Sequence, residues 1–262
     1  ARSIASELGL AAHVEGDGPP LLFLHGMHEL LFCRPLLSKL AEQFSVIAPQ
    51  HPGWGDSTRR PTDRSIDDLA YHYLDLLDSI DGPATVVGCS LGAWLALEIA
   101  TKDDSSIASL TLVSPVGIRT GEPTRRYYLD QYAVPASKVA EAWYGATERQ
   151  PDLSAFSDDD FLQLARAEEA AAYYAWEPYM HNPSLLARLH RVKVPTQLVT
   201  GDKDGFVLAD EHVDTLAGAL GGPVRTRVFA DTGHRVEEQQ SDDLADLIAE
   251  FAQHAAAART DA

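Results

Sequence analysis

Short apolar runs recur along the chain at Leu21 to Leu24, Val46 to Ala48, Thr85 to Val87, Leu110 to Val113, Gln197 to Val199 and Val224 to Phe229. Their length and lack of polar alternation suit strands buried on both faces of a parallel sheet. Between them the apolar positions change to a helical spacing. Ile66, Leu69, Ala70, Tyr73, Leu74, Leu77 and Ile80 form one stripe, with Ser65 placed as its N-cap and Asp68 as a weak capping-box partner. Leu244, Leu247, Ile248 and Phe251 repeat the spacing near the end of the chain. Strand–helix alternation of this kind predicts an α/β fold with a doubly wound, mostly parallel sheet.

The alternation fails over residues 117–192. No convincing strand appears there, more than half of the chain's aromatic residues fall there, and acidic runs such as Ser157-Asp158-Asp159-Asp160 interrupt Ala-rich stretches. A structureless loop of that length is out of place in a compact domain. The pattern therefore predicts a helical insertion over 117–192, dividing a core made of 1–116 and 193–262. The 262 residues suffice for such a core and an insertion.

Composition adds exclusions. Apolar residues at 45% and charged residues at 23% describe a soluble globular chain. A formal net charge of −18 argues against nucleic acid or an anionic membrane surface as partner, leaving a small-molecule substrate. No run approaches the ~18 apolar residues of a membrane span, and no charged-then-apolar leader precedes the first strand. The chain does not begin with Met. With only Cys33 and Cys89, no disulfide framework is indicated, and the expected location is cytoplasmic.

The candidate chemistry lies at Gly88-Cys89-Ser90-Leu91-Gly92, a G-x-S-x-G pattern between a buried strand and a helix. A sharp strand-to-helix turn there would strain the serine and expose its hydroxyl, with small neighbours leaving room. Ser90 would sit at a helix N-terminus, where N–H groups favour developing negative charge. Cys89 is a rival nucleophile by reactivity, but the glycines flank position 90, not 89.

A base should follow in the chain. His234, in the loop Ala230-Asp231-Thr232-Gly233-His234 after the last strand, stands where α/β sheets place their sites. His13 precedes the core, His72 lies off the stripe of its helix, His190 and His212 sit in expected helices, and His254 lies in a tail. The acid should end the preceding strand, at Gly201-Asp202-Lys203-Asp204. Asp204 is preferred for orienting the imidazole, with Asp202 as a turn-capping carboxylate and Asp231 as a weaker candidate on the histidine's own loop. An oxyanion hole would combine the N–H of Leu91 with that of Met27, after the strand ending His25-Gly26. His25 reads as structural. His25 and His28 lack the further ligands of a metal site, so neither metal nor cofactor is expected.

Taken in order, His25-Gly26, His51-Pro52-Gly53-Trp54-Gly55-Asp56-Ser57, the elbow at Ser90, Gly201-Asp202-Lys203-Asp204 and Gly233-His234 resemble the α/β-hydrolase superfamily over essentially the whole chain. The resemblance implies Ser90 as nucleophile, Asp204 as triad acid, His234 as base, and a helical cap at 117–192. Departures are Met27-His28-Glu29 in place of a Gly-rich loop, and Ala93 where a further glycine is frequent. Serine at the elbow, where epoxide- and halide-processing relatives carry Asp, disfavours those activities. Ser114 follows a strand that bears an alternative acid in some members.

These readings favour a hydrolase of carboxylic esters or lactones acting on a small, fairly apolar substrate. The alternatives are a carbon–carbon bond hydrolase of β-diketone type with the same triad, a small-molecule receptor that keeps the triad, and a cofactor-independent lyase. His28, Trp176, Tyr179 and Met180 are the expected substrate contacts, the last three because they stand just before the chain returns to the sheet.

Overall fold

The computed structural model describes residues 2–28, 30–122 and 124–260. Its strands are β1 (Ala12–Glu15), β2 (Pro20–Leu24), β3 (Ser45–Pro49), β4 (Ala84–Cys89), β5 (Ile107–Val113), β6 (Thr196–Gly201) and β7 (Val224–Phe229). They form one 7-stranded sheet in the order β1-β3-β2-β4-β5-β6-β7. β1 runs antiparallel to β3, and every other pairing is parallel. The helices are α1 (Arg2–Glu7), α2 (Arg34–Ala41), α3 (Ile66–Asp78), α4 (Leu91–Lys102), α5 (Ala136–Tyr144), α6 (Asp158–Ala175), α7 (Leu185–Arg188), α8 (His212–Ala219), α9 (Val236–Gln239) and α10 (Ser241–Thr260).

Strand periodicity divides the core between two faces. Leu22, Leu24, Val86 and Leu112 join α3 and α4 in one apolar cluster, while Leu21, Phe23, Val87 and Val113 join α2 and α10 in the other. β4 is buried at every position, as a central parallel strand must be. At the start of α3 the N–H of Asp68 donates to Ser65 Oγ at 3.1 Å, so Ser65 is the N-cap. Asp68 Oδ2 accepts from the Arg64 N–H rather than from that of Ser65, and the box stays incomplete.

Three expectations need correction. The Val224–Phe229 run is not covered on both faces. It is the edge strand β7, paired only with β6, and Val228 is 56% exposed. β1 has no apolar run and escaped notice. Its half-buried and exposed residues alternate, as on an edge strand facing water. His72, read as lying off the apolar stripe of α3, does not reach water. It is buried, and its Nε2–H donates to Asp63 Oδ2 at 3.0 Å.

Between β5 and β6 the chain forms α5, α6, α7 and short 3-10 turns, with only isolated bridges and no strand among the described residues. α6 opens with a complete capping box between Ser157 and Asp160. No helix of the described residues is long and apolar enough to cross a membrane.

Candidate active site

The C-terminal ends of β4, β6 and β7 bring the candidate residues together. Ser90 caps α4 with φ 50° and ψ −112°, a left-sided backbone rarely adopted by residues with a Cβ. Its neighbours explain why the turn is possible. A Cβ on Gly88 would lie 2.5 Å from the Gly92 oxygen, and one on Gly92 would lie 2.5 Å from the Leu24 carbonyl carbon. Only glycine permits helix α4 to start so close to β4 and β2. The Ser90 N–H donates to the Val113 oxygen at 2.8 Å, which ties the elbow to β5.

His234 lies 2.8 Å from Ser90 Oγ through Nε2 and 2.8 Å from Asp204 Oδ2 through Nδ1. An ionised carboxylate can only accept, so Nδ1 carries the proton and Nε2 keeps a lone pair for the serine hydroxyl. Asp204 is held by its own turn, where Oδ1 accepts the N–H groups of Phe206 at 2.9 Å and Val207 at 3.1 Å. The Phe206 ring packs 4.8 Å from the imidazole. Ser90 and His234 are 4% and 3% exposed, so the relay is shielded from bulk water.

The competing groups sit elsewhere. Asp202 accepts the Thr232 N–H at 3.2 Å, bracing the histidine loop from outside the relay. Asp231 is paired with Arg149. Cys89 is fully buried, and burial pushes its thiol well above the usual range, away from the reactive thiolate. His212 is buried against Tyr127 and Pro115.

The loop after β2 approaches the elbow closely. A Cβ on Gly26 would lie 3.5 Å from that of Ser90. The loop is held from behind by a histidine ladder. His25 Nδ1–H donates to the Gly26 oxygen at 2.7 Å, and the His51 N–H donates to His25 Nε2 at 3.0 Å. His51 Nε2–H returns a bond to the His25 oxygen at 2.9 Å, and Tyr73 closes the chain on His51 Nδ1. Burial pushes His25 down to about 4, so the ladder is uncharged. Trp54 Nε1–H donates to the Met27 oxygen at 2.7 Å and fixes the Met27–His28 peptide, while the His25 bond to the Gly26 oxygen fixes the peptide that carries the Met27 N–H. Among the described residues the N–H groups of Met27 and Leu91 donate to no backbone oxygen of a turn, loop or cap. Glu29 lies outside the described residues.

His28 reaches the helices α5 and α6. Its Nε2–H donates to Glu168 Oε1 of α6 at 2.8 Å, and its ring meets Trp143 of α5 edge-on at 4.4 Å. Burial lowers His28 despite the pull of Glu168. Burial pushes Glu168 up, but the bond and charge from His28 outweigh it, and the carboxyl stays below its usual range. Both residues line a cavity of about 380 Å³ with Phe32, Val139, Trp143, Tyr144 and Leu164. The Trp143 oxygen accepts the N–H of Arg235, next to His234. The cavity therefore lies between the neighbours of Met27 and of His234. A cavity of about 460 Å³ near Ala11, Arg34 and Asp160 is larger but borders none of these groups.

The other expected contacts occupy a different place. Tyr179, Met180 and Trp176 border a void against Met27 too small for a water molecule, and none of them borders the larger cavity. Trp176 is 52% exposed and packs on Tyr132, while Tyr179 Oη–H donates to the Leu129 oxygen at 2.8 Å. Sequence reasoning passed over Glu168, Phe206 and Arg235. The position of Phe206, two residues beyond Asp204, was the available signal for one of them. Arg235 is buried beside His234, paired with Glu237 at 2.9 Å and with Glu238, and stacked over Trp143.

The chain belongs to the alpha/beta hydrolase family, whose model matches residues 21–247. A pimeloyl-(acyl-carrier protein) methyl ester esterase of Methylococcus capsulatus is 28% identical, over 93% of this chain and 98% of that protein. A thermophilic esterase from Thermogutta terrifontis matches in structure with a TM-score of 0.74 at 21% identity, over 94% of this chain and 93% of that one. A meta-cleavage product hydrolase matches with a TM-score of 0.72 at 19% identity, over 94% of each chain. At such identities these structural likenesses speak to the fold alone.

Proposed function

We propose that the protein is a serine hydrolase that cleaves a carboxylic ester or lactone of a small, fairly apolar substrate through an acyl-enzyme. The observation that carries this reading is the relay from Ser90 to His234 to Asp204, with both contacts at 2.8 Å and a strained serine at a helix N-terminus. Ser90 Oγ attacks the acyl carbon as its proton passes to His234 Nε2. The carbonyl oxygen takes up the displaced electron pair and is met by the N–H groups of Met27 and Leu91. Collapse expels the alkoxide, which receives the proton from His234. A water then repeats the attack on the acyl-serine, His234 again taking and returning a proton, and the acid leaves.

Residues 117–192 act in this reading as a cap, and the cavity at Trp143 receives the acyl chain. Apolar lining of this kind is what small-molecule sites present. The relationship to the Methylococcus esterase supports an ester as substrate. The same triad on a β-diketone would break a carbon–carbon bond, and a receptor would acylate once without release.

The test is a panel of esters, lactones and β-diketones with wild type and Ser90→Ala. Rapid ester turnover that disappears in Ser90→Ala is expected. Turnover of β-diketones alone, or ester turnover undiminished in Ser90→Ala, would overturn the reading. Within the esters, kcat/KM should rise as the acyl chain grows from about two to about six carbons, since each buried methylene contributes about 0.8 kcal/mol.

A further inference from the structure

The cavity beside the relay has one carboxylate on its described wall, Glu168. Its Oε1 accepts from His28 Nε2–H at 2.8 Å, and its Oε2 accepts from Gln131 Nε2–H at 3.2 Å and Tyr132 Oη–H at 3.1 Å. A carboxylate offers about four acceptor positions. One position on Oε1 is therefore left for a ligand, and the Glu168 side chain is 39% exposed where it meets the cavity.

Burial pushes the Glu168 carboxyl up, but the bond from His28, the bond from Tyr132 and the charge of Arg235 keep it below its usual range, so the wall carries a negative charge. The formal charge of −18 on the whole chain adds to the same sign. Tyr132, whose hydroxyl donates to Glu168 Oε2, lines the same cavity.

We infer that the cavity selects substrates whose acyl part ends in a hydrogen-bond donor, a hydroxyl or a protonated amine, which docks on Glu168 Oε1, and that it rejects acyl parts ending in a carboxylate. The inference rests on the ester-hydrolase reading above. In this reading the carbonyl of such a substrate lies at Ser90, and its acyl end reaches Glu168 in the cavity that the touching rings of His28 and Trp143 help to line. Glu168 also knits α6 to the loops carrying His28 and Gln131. That architectural task alone would affect all substrates together and leave their ratios unchanged.

The experiment compares kcat/KM for nitrophenyl esters of equal chain length ending in methyl, hydroxyl, ammonium or carboxylate, in wild type and Glu168→Gln. In wild type the hydroxyl and ammonium esters should exceed the methyl ester, and the ammonium ester should exceed the carboxylate ester about tenfold or more. Glu168→Gln should reduce that ammonium-to-carboxylate ratio about tenfold or more, the size expected for a hydrogen bond to a charged group. Equal wild-type rates for the ammonium and carboxylate esters, or an unchanged ratio in a folded Glu168→Gln, would overturn the inference while Ser90-dependent turnover leaves the hydrolase reading standing. If Glu168→Gln does not fold, the wild-type order of the esters still decides. Failure of every ester to show Ser90-dependent turnover would overturn both readings.

Discussion

Asp202 and Asp204 share one turn, yet their partners differ. Asp204 receives the proton-bearing Nδ1 of His234, whereas Asp202 receives a backbone N–H from Thr232. Asp204→Asn should therefore cost on the order of 10⁴ in kcat, because the amide forces the wrong imidazole tautomer. Asp202→Asn should cost far less, since an amide oxygen can still accept the Thr232 N–H. Steady-state kinetics of the two variants would reject the assignment if the order were reversed. Ser90→Ala should lose kcat by several orders of magnitude with its unfolding midpoint nearly unchanged, since little packing goes with the hydroxyl. The meeting of Ser90, Asp204 and His234 was legible in the sequence because each lies on a short turn directly after a strand. Glu168 was not. It sits among other acidic residues of α6, and its reach to His28 depends on how that helix lies over the sheet, which no local spacing encodes. The same cause misplaced Trp176, Tyr179 and Met180, whose aromatic or apolar character says nothing about which void they border.

Elements follow the same division between local and distant causes. β2 to β6 and α3 could be read directly because burial on both faces, or on one stripe, leaves a periodic mark. The two edges carried weaker marks. β1 has four residues without an apolar run, and β7 looked central by its valines although Arg225 and Arg227 alternate with them. Helix α4 shows how tightly one element can depend on another. Gly92, in its first turn, faces the Leu24 carbonyl of β2, so Gly92→Ala must push the helix away from the strand. Urea unfolding should show a loss of about 3 kcal/mol or more, in the range of severe overpacking. A loss under about 1 kcal/mol would mean that α4 can shift freely. Ser157→Ala, at the exposed box that opens α6, should cost only about 1 kcal/mol.

At the scale of the whole molecule, buried neutral histidines make stability depend on pH. Burial pushes His25 and His212 down from 6.5 to about 4, and it pushes His51 well below its ordinary value. Above about pH 7 these rings are neutral in both folded and unfolded chains, and they impose no pH dependence. As the pH falls through 6.5 the unfolded chain binds protons that the folded chain refuses, so stability is lost progressively down to about 4. Between about pH 7 and about pH 5 each of His25 and His212 should remove roughly 2 kcal/mol. The urea midpoint should therefore drop clearly over that interval at constant salt. His212→Gln separates this cause from general acid titration. Glutamine offers Tyr127 and Pro115 an amide in place of the ring, so the variant starts less stable but should lose about one proton's worth of slope. A midpoint equal at both pH values, or a slope unchanged in His212→Gln, would show that these rings accept protons within the fold.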